Sequence, residues 1–336
     1  MGETILVVGS GSVGKRHAKN LASLGYGISC VDPNQEKIAE LSGNVHIESE
    51  FRTVDEALLT GEKFTAMVVA SPPKYHIDQA IQGLNAGLSV LLEKPVGKTL
   101  QDAQRLLKVS EYWDTKNGPG LLLGYTWRWW PALIYMKKLI SSSAIGQPYF
   151  ARFHVSAHVA DWHPWEDYRD FFMSSKDLGG GALLDESHWI DQMIWYFGMP
   201  EQVVGTVSKI SQLDLTADDS VEMLAFYKTG LKVSIHLDIY GRPHEKSIHL
   251  IGSKGTLTWT EVGNCVIQAS QSKTFVEKFE EERNYMFEQV ASEFDQVIKG
   301  RRKPSCKLSD GYEVLRIVEA IRRSNERQCF VNLEEI

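Results

Sequence analysis

A lysine stands where a buried strand should end. The run Leu88 to Leu92 is apolar apart from Ser89, and it stops at Glu93, Lys94 and Pro95. A cation at a strand end can hydrogen-bond a reacting hydroxyl and stabilise alkoxide character as the reaction proceeds. Further along, "GGGALLDESHWID" carries Asp185 and His188. Three residues apart on a helix, they share a face, which Gln192 and Trp195 continue. Imidazole titrates near neutral pH and suits removal of a hydroxyl proton, and a carboxylate beside it can orient the ring or the substrate. Two plainer readings compete. Lys94 could pair with Glu93, but neighbours on a strand point to opposite sides, so that geometry is poor. His188 could be an ordinary structural histidine of a half-apolar helix.

A second set of residues precedes these. "VVGSGSVGKRH" holds Gly9, Gly11 and Gly14 in a GxGxxG pattern between an apolar strand and a helix. The first glycine allows the tight turn, the second lets a pyrophosphate approach the backbone, and the third allows close helix–strand packing. Ser10, Ser12 and Val13 complete a turn whose free N–H groups and helix dipole attract phosphate. Asp32 ends the next strand, placed to accept hydrogen bonds from ribose hydroxyls and to repel a 2′-phosphate. This favours NAD. Arg16 nearby keeps NADP as the less favoured alternative. Ser71, Pro72 and Pro73 close another strand, where small and proline residues can lie flat against the nicotinamide ribose. The competing reading is a rigid turn with no ligand.

These residues need a scaffold. Apolar strands spaced by helical patterns up to about residue 122 argue for a doubly wound parallel sheet buried on both faces. Thr99 is a plausible cap for the helix after "EKPVGK". Beyond residue 145 the pattern alternates, and residues 202–269 read as a mostly antiparallel sheet. The expected division is a dinucleotide-binding domain over 1–122 and a substrate-binding and oligomerisation domain over 123–336. Two terminal helices, around 281–299 and 309–326, could pack on either. After the first alternating strand beyond residue 145 comes "HVADWHPWEDYRDFF", dense in Trp, His, Asp, Arg and Tyr. Aromatic faces and planar charged groups suit sugars, so Asp161, Trp162, His163, Tyr168 and Arg169 are pocket candidates.

Taken together, "GSGSVGKRH", "ASPPKYHIDQAIQGLNAGLSVLLEKPVGKTL", "GYTWRWWPAL", "GGGALLDESHWIDQMIWYFG" and "GSKGTLTW" resemble the Gfo/Idh/MocA oxidoreductases, dehydrogenases and reductases of sugars and cyclitols. The resemblance runs through nearly the whole chain. It implies a Rossmann domain followed by an α/β domain with a large open sheet, whose face builds a homodimer or homotetramer. It implies cofactor contacts from the glycine turn, Asp32, the "SPP" turn, His76, Glu93 and Lys94, with Lys94 between nicotinamide and substrate. It makes Arg128 a pocket residue and Asp185 and His188 catalytic. Many relatives space that Asp and His four apart. The shorter "DESH" spacing resembles a subgroup associated with surface-polysaccharide and nucleotide-sugar genes. The implied reaction moves a hydride between nicotinamide and a carbinol or keto carbon of a sugar or sugar derivative. A cyclitol dehydrogenase, a keto-sugar reductase and an enzyme that recycles hydride on a retained cofactor are alternatives. A non-catalytic NAD-binding regulator is another, against which the presence of both Lys94 and His188 argues.

Composition bounds the partners. The 336 residues carry a net charge of -7 and no basic block, which argues against nucleic acid. Their number and 43% hydrophobic content suit two cores. No apolar run reaches the roughly 20 residues of a membrane span. Cys30, Cys265, Cys306 and Cys329 form no CxxC pair, which argues against zinc or a disulfide framework. With no secretory pattern at the N-terminus, a cytoplasmic protein without a metal site is expected.

Overall fold

The computed structural model describes residues 3–162, 164 and 166–336. The chain forms two units, Met1–Thr126 with Arg283–Tyr312, and Trp127–Glu282 with Glu313–Ile336.

The first unit alternates β1 (Thr4–Val8), α1 (Ser12–Ser23), β2 (Gly27–Val31), α2 (Gln35–Ser42), β3 (Ile47–Phe51), α3 (Val54–Leu59), β4 (Phe64–Val69), α4 (Pro73–Asn85), β5 (Ser89–Glu93), α5 (Leu100–Thr115) and β6 (Leu121–Gly124). The six strands are parallel in the order β3-β2-β1-β4-β5-β6. The order reverses between β1 and β4, and in such sheets ligands bind beyond the strand C-termini at that point. Val7, Met67, Val68, Leu91 and Leu122 are 0% exposed, which explains the unbroken apolar runs of the central strands. β3, with α2 and α3, is absent from the sequence reading. Its residues IESEF alternate apolar and charged because β3 lies at the sheet edge. Thr99 caps α5, its hydroxyl accepting from the Asp102 N–H at 3.2 Å.

The second unit contains α6 (Pro131–Ser141), β7 (Pro148–Ser156), α7 (Ala182–Asp185), α8 (His188–Phe197), β8 (Gln202–Ser208), β9 (Ser220–Phe226), β10 (Lys232–Asp238), β11 (Glu245–Gly252), β12 (Gly255–Thr260), β13 (Cys265–Ala269) and β14 (Thr274–Lys278). α9 (Tyr285–Ile298) belongs to the first unit, α10 (Leu308–Arg327) straddles the division, and β15 (Val331–Asn332) ends the chain in the second. The nine-stranded sheet runs β14-β13-β12-β11-β7-β10-β9-β8-β15. All neighbours are antiparallel except β7 and β10. One face buries Phe153, Ile235, Ile248 and Trp259, each 0% exposed, under helices that include α6 and α8. The other carries Arg152, His154, Glu222 and His236. Two-residue alternation along each strand separates the faces. Among the described residues no helix is long and apolar enough to cross a membrane.

Candidate functional site

The glycine turn of the first unit is built by contact. Gly9 has φ +95°, and a Cβ there would lie 2.7 Å from the Ala70 carbonyl carbon. A Cβ on Gly14 would lie 1.8 Å from the Gly9 carbonyl oxygen. The turn after β1 therefore packs directly on the turn after β4, and α1 packs directly on the glycine turn. Gly11 differs: a Cβ there would meet nothing within 4 Å. Its bare backbone caps α1, and no side chain accepts from the first-turn N–H groups of that helix. That open, donor-rich surface fits the pyrophosphate of a dinucleotide.

Asp32 is 8% exposed, and its two carboxylate oxygens accept from Ser10 N–H and Asn34 N–H at 2.8 and 2.9 Å. The acid read as a ribose ligand is thus also the clip that ties the glycine turn to the end of β2. Each oxygen keeps a second lone pair for a hydroxyl. Arg16 lies with its guanidinium 4.6 Å from the centre of the Phe287 ring. This stacking gives Arg16 a role on α9 and removes the main argument for NADP.

The turns after β4 and β5 carry the other expected cofactor residues. Ser71 and Pro72 are half-buried, and Pro73 opens α4. The Ser71 hydroxyl donates to Gln79 Oε1 at 2.5 Å. His76 is 0% exposed and bonds backbone, so it braces these turns and offers no surface to a cofactor. Glu93 turns inward: its Oε1 lies 2.7 Å from His17 Nε2 on α1, and its Oε2 accepts weakly from the Lys94 N–H at 3.3 Å. Lys94 is half-buried at the C-terminal end of β5 and precedes a cis peptide bond to Pro95. His17 escaped the sequence reading. The available signal was a histidine on the stripe of α1 that also holds Gly14, Ala18 and Leu21, all buried.

In the second unit the single helix expected over residues 182–197 is two. α7 ends at Asp185 and α8 begins at His188. The link is tight, with Ser187 N–H donating to Leu184 O at 3.4 Å and Trp189 N–H to Glu186 O at 3.1 Å. Such i+3 bonding eclipses residues three apart, so Asp185 and His188 keep a common side through the break. The glycine run before them has a packing reason. Gly181 has φ +107°, and the Asp218 carboxylate behind it accepts from Leu183 N–H at 2.8 Å, capping α7. Burial pushes that carboxyl above its usual range. Asp185 is 8% exposed and His188 half-buried.

Arg128, expected to line the pocket, forms a buried ion pair. Its Nε and Nη2 donate to Asp191 on α8 at 2.9 and 2.6 Å, with both side chains buried. The pair ties the segment before α6 to the helix that carries His188. Beside it Trp127, Trp189 and Trp259 pack with ring centres 5.6–5.9 Å apart. Asp191 was visible in "WID" but received no role in the sequence reading. Gln192, one turn beyond His188, is 0% exposed.

The aromatic loop is bonded partly within itself and partly to distant segments. Asp161 accepts both bonds of the Arg242 guanidinium at 2.7 and 2.8 Å. Arg169 pairs with Asp167, and the Tyr168 hydroxyl accepts from Asp214 N–H at 3.0 Å. Trp162 is half-buried, and His163 lies outside the described residues.

Comparison with known proteins agrees with this geometry. Residues 4–113 match the family model described as "Oxidoreductase family, NAD-binding Rossmann fold", and residues 133–258 match "GFO/IDH/MocA C-terminal domain". An inositol 2-dehydrogenase/D-chiro-inositol 3-dehydrogenase of Halalkalibacterium halodurans is 26% identical over 44% of this chain and 42% of that protein. A 2,7-anhydro-N-acetylneuraminate hydratase of Mediterraneibacter gnavus is 25% identical over 59% of this chain and 50% of that protein. The chain thus spans about half the length of these two relatives. The myo-inositol 2-dehydrogenase structure from Lactobacillus plantarum superposes with a TM-score of 0.82 at 19% identity, covering 99% of each chain, a likeness of fold. With an NAD-binding Rossmann unit followed by the matching C-terminal domain, the chain belongs to the Gfo/Idh/MocA family of oxidoreductases.

Proposed function

We propose that this chain oxidises a carbinol carbon of a sugar or cyclitol, or reduces the matching ketone, with NAD as hydride partner. The observation that carries the reading is Lys94. It ends β5, next to the strand whose turn packs on the glycine turn. NAD, when bound, supplies the hydride acceptor. The Lys94 ammonium donates to the reacting hydroxyl oxygen and stabilises the negative charge that grows there as hydride leaves. His188 takes the hydroxyl proton, and Asp185 orients the ring or the substrate. The carbinol thereby loses a hydride from its carbon to NAD and a proton from its oxygen to His188, and becomes a carbonyl.

An uncharged polyol is the substrate class this unit supports best. Of the basic residues near the aromatic loop, Arg169 is paired with Asp167, Arg152 is exposed on the sheet face opposite α6 and α8, and Lys176 is exposed. They form no cluster that supports a diphosphate site. The relative named as a hydratase motivates a second reading, in which hydride is taken and returned within one turnover. We further propose that a second copy covers the sheet face opposite α6 and α8, where Phe150, Leu224 and Ile251 lie among polar residues, and light scattering of the purified chain tests this.

The test of function is NADH formation over a panel of sugars, cyclitols and nucleotide sugars. Turnover of a polyol with NADH release supports a dehydrogenase. Substrate conversion without NADH release supports the recycling reading. NAD binding without any conversion contradicts both.

A further inference from the structure

His76 sits near the start of α4, and its two ring nitrogens reach two different turns. Nδ1 lies 2.7 Å from the Pro95 carbonyl oxygen and Nε2 lies 2.7 Å from the Ser71 carbonyl oxygen. A carbonyl oxygen can only accept, and a neutral imidazole carries one N–H. The neutral ring therefore bonds one turn and sets a bare lone pair against the other. Only the protonated ring bonds both. Ser71 belongs to the turn after β4, and Pro95 to the turn that carries Lys94.

The surroundings balance the proton. Burial of the ring is the largest influence and lowers its pKa below the ordinary histidine value. The two carbonyls and the Glu93 carboxylate oppose that shift, while Lys94 adds to it. Glu93 and Lys94 are the charged residues at the end of β5, and β4 (FTAMVV) carries none. The neighbouring helices present Arg105 and Asp55 to α4. These bond Asp78 and Gln82 on its outer surface.

We infer that His76 is a proton-linked clamp, a positioning residue that fastens the turn after β4 to the Lys94 turn when protonated and lets one go when neutral. The inference rests on the proposed function only in reading both turns as cofactor contacts. If NAD needs both turns in one arrangement, its binding draws a proton from solvent onto His76, and affinity falls as that proton is lost.

Two measurements on the full chain test this. In the first, NAD is titrated calorimetrically near about pH 6 in buffers of different ionisation enthalpy. The native chain should take up protons on binding and bind severalfold more weakly near about pH 8. His76→Gln and His76→Asn, each offering one amide nitrogen that does not titrate, should bind NAD without that uptake. Uptake unchanged in a folded variant, or absent in the native chain, overturns the clamp. The second needs no NAD: nitrogen NMR of labelled histidine between about pH 5 and pH 8, with His76 assigned by its loss in the variants. Passage from a doubly protonated ring to a single tautomer supports the clamp, and one neutral tautomer throughout overturns it. A native chain that shows the ring titration but never binds NAD contradicts the cofactor reading and leaves the clamp standing.

Discussion

Glu93 and His17 meet inside the first unit, carboxylate oxygen to imidazole nitrogen at 2.7 Å, with both side chains buried. The contact explains the odd ending of β5. Side chains alternate along a strand, so an inward Glu93 sends Lys94 the other way. Of the two adjacent opposite charges, Glu93 anchors the strand end to α1, and Lys94 carries the proposed chemistry.

Removing the anchor should therefore loosen the lysine. In Glu93→Ala the His17 ring loses its Nε2 partner, and its Nδ1 already has none among the described residues. A loss of about 1–3 kcal/mol is expected from a stranded buried polar group. Urea denaturation should show it, and turnover should fall more than NAD affinity. Glu93→Gln keeps an acceptor and should retain most of the stability.

The Arg128–Asp191 pair makes a second stability prediction. Asp191→Ala removes both carboxylate bonds of a buried guanidinium and should cost about 3–5 kcal/mol. Arg128→Met with Asp191→Leu should recover much of that loss in thermal denaturation. If Asp191→Ala unfolds at the native temperature, Arg128 is not held by this pair.

Much of this arrangement was legible in sequence, and the gaps have physical causes. The glycine turn, Asp32 and the strand ends read clearly because backbone shape and strand position determine them. The break between Asp185 and His188 did not, because the link is only slightly tighter than an α-helix and leaves the apolar pattern intact. The motif that placed Arg128 gave it a position and no partner. Asp191 lies 63 residues away, and only folding brings the two together. The same holds for Asp161, whose partner Arg242 is 81 residues on. β3 was missed because an edge strand keeps one polar face.

Asp32 clips the glycine turn and is the proposed ribose ligand, so its substitution should do two things. Asp32→Ala removes the repulsion of a 2′-phosphate and also frees the Ser10 and Asn34 N–H groups. NAD affinity should fall by roughly tenfold or more, the scale of one good charge-assisted hydrogen bond. The preference for NAD over NADP should narrow. Calorimetry with both nucleotides checks it, and an unchanged ratio would remove Asp32 from the ribose site.

His236 makes a pH prediction. Its ring bonds Asp238 at 2.9 Å through Nε2 and Glu222 through Nδ1, and stacks on His154 with centres 4.9 Å apart. The bond to Asp238 is the main cause that raises its pKa from 6.5 to about 9; burial opposes this and Glu222 assists. A raised folded-state pKa means the native state holds a proton that the unfolded chain has released. This stabilisation is complete below about pH 6.5 and is lost as pH rises through about 9. Melting temperature should fall across that window in the native chain and fall less in His236→Gln. Equal slopes would contradict the assignment.

The central claim is that polyol oxidation by this chain needs both Lys94 and His188. It is tested most directly by turnover of the best polyol from the panel, measured as NADH formation in the native chain, Lys94→Ala and His188→Ala, with NAD affinity measured alongside. The account predicts that each variant folds, binds NAD within a fewfold of the native chain and loses at least about a hundredfold in kcat, the scale of a general-base or electrostatic contribution. Turnover that persists at the native rate in either variant would contradict it.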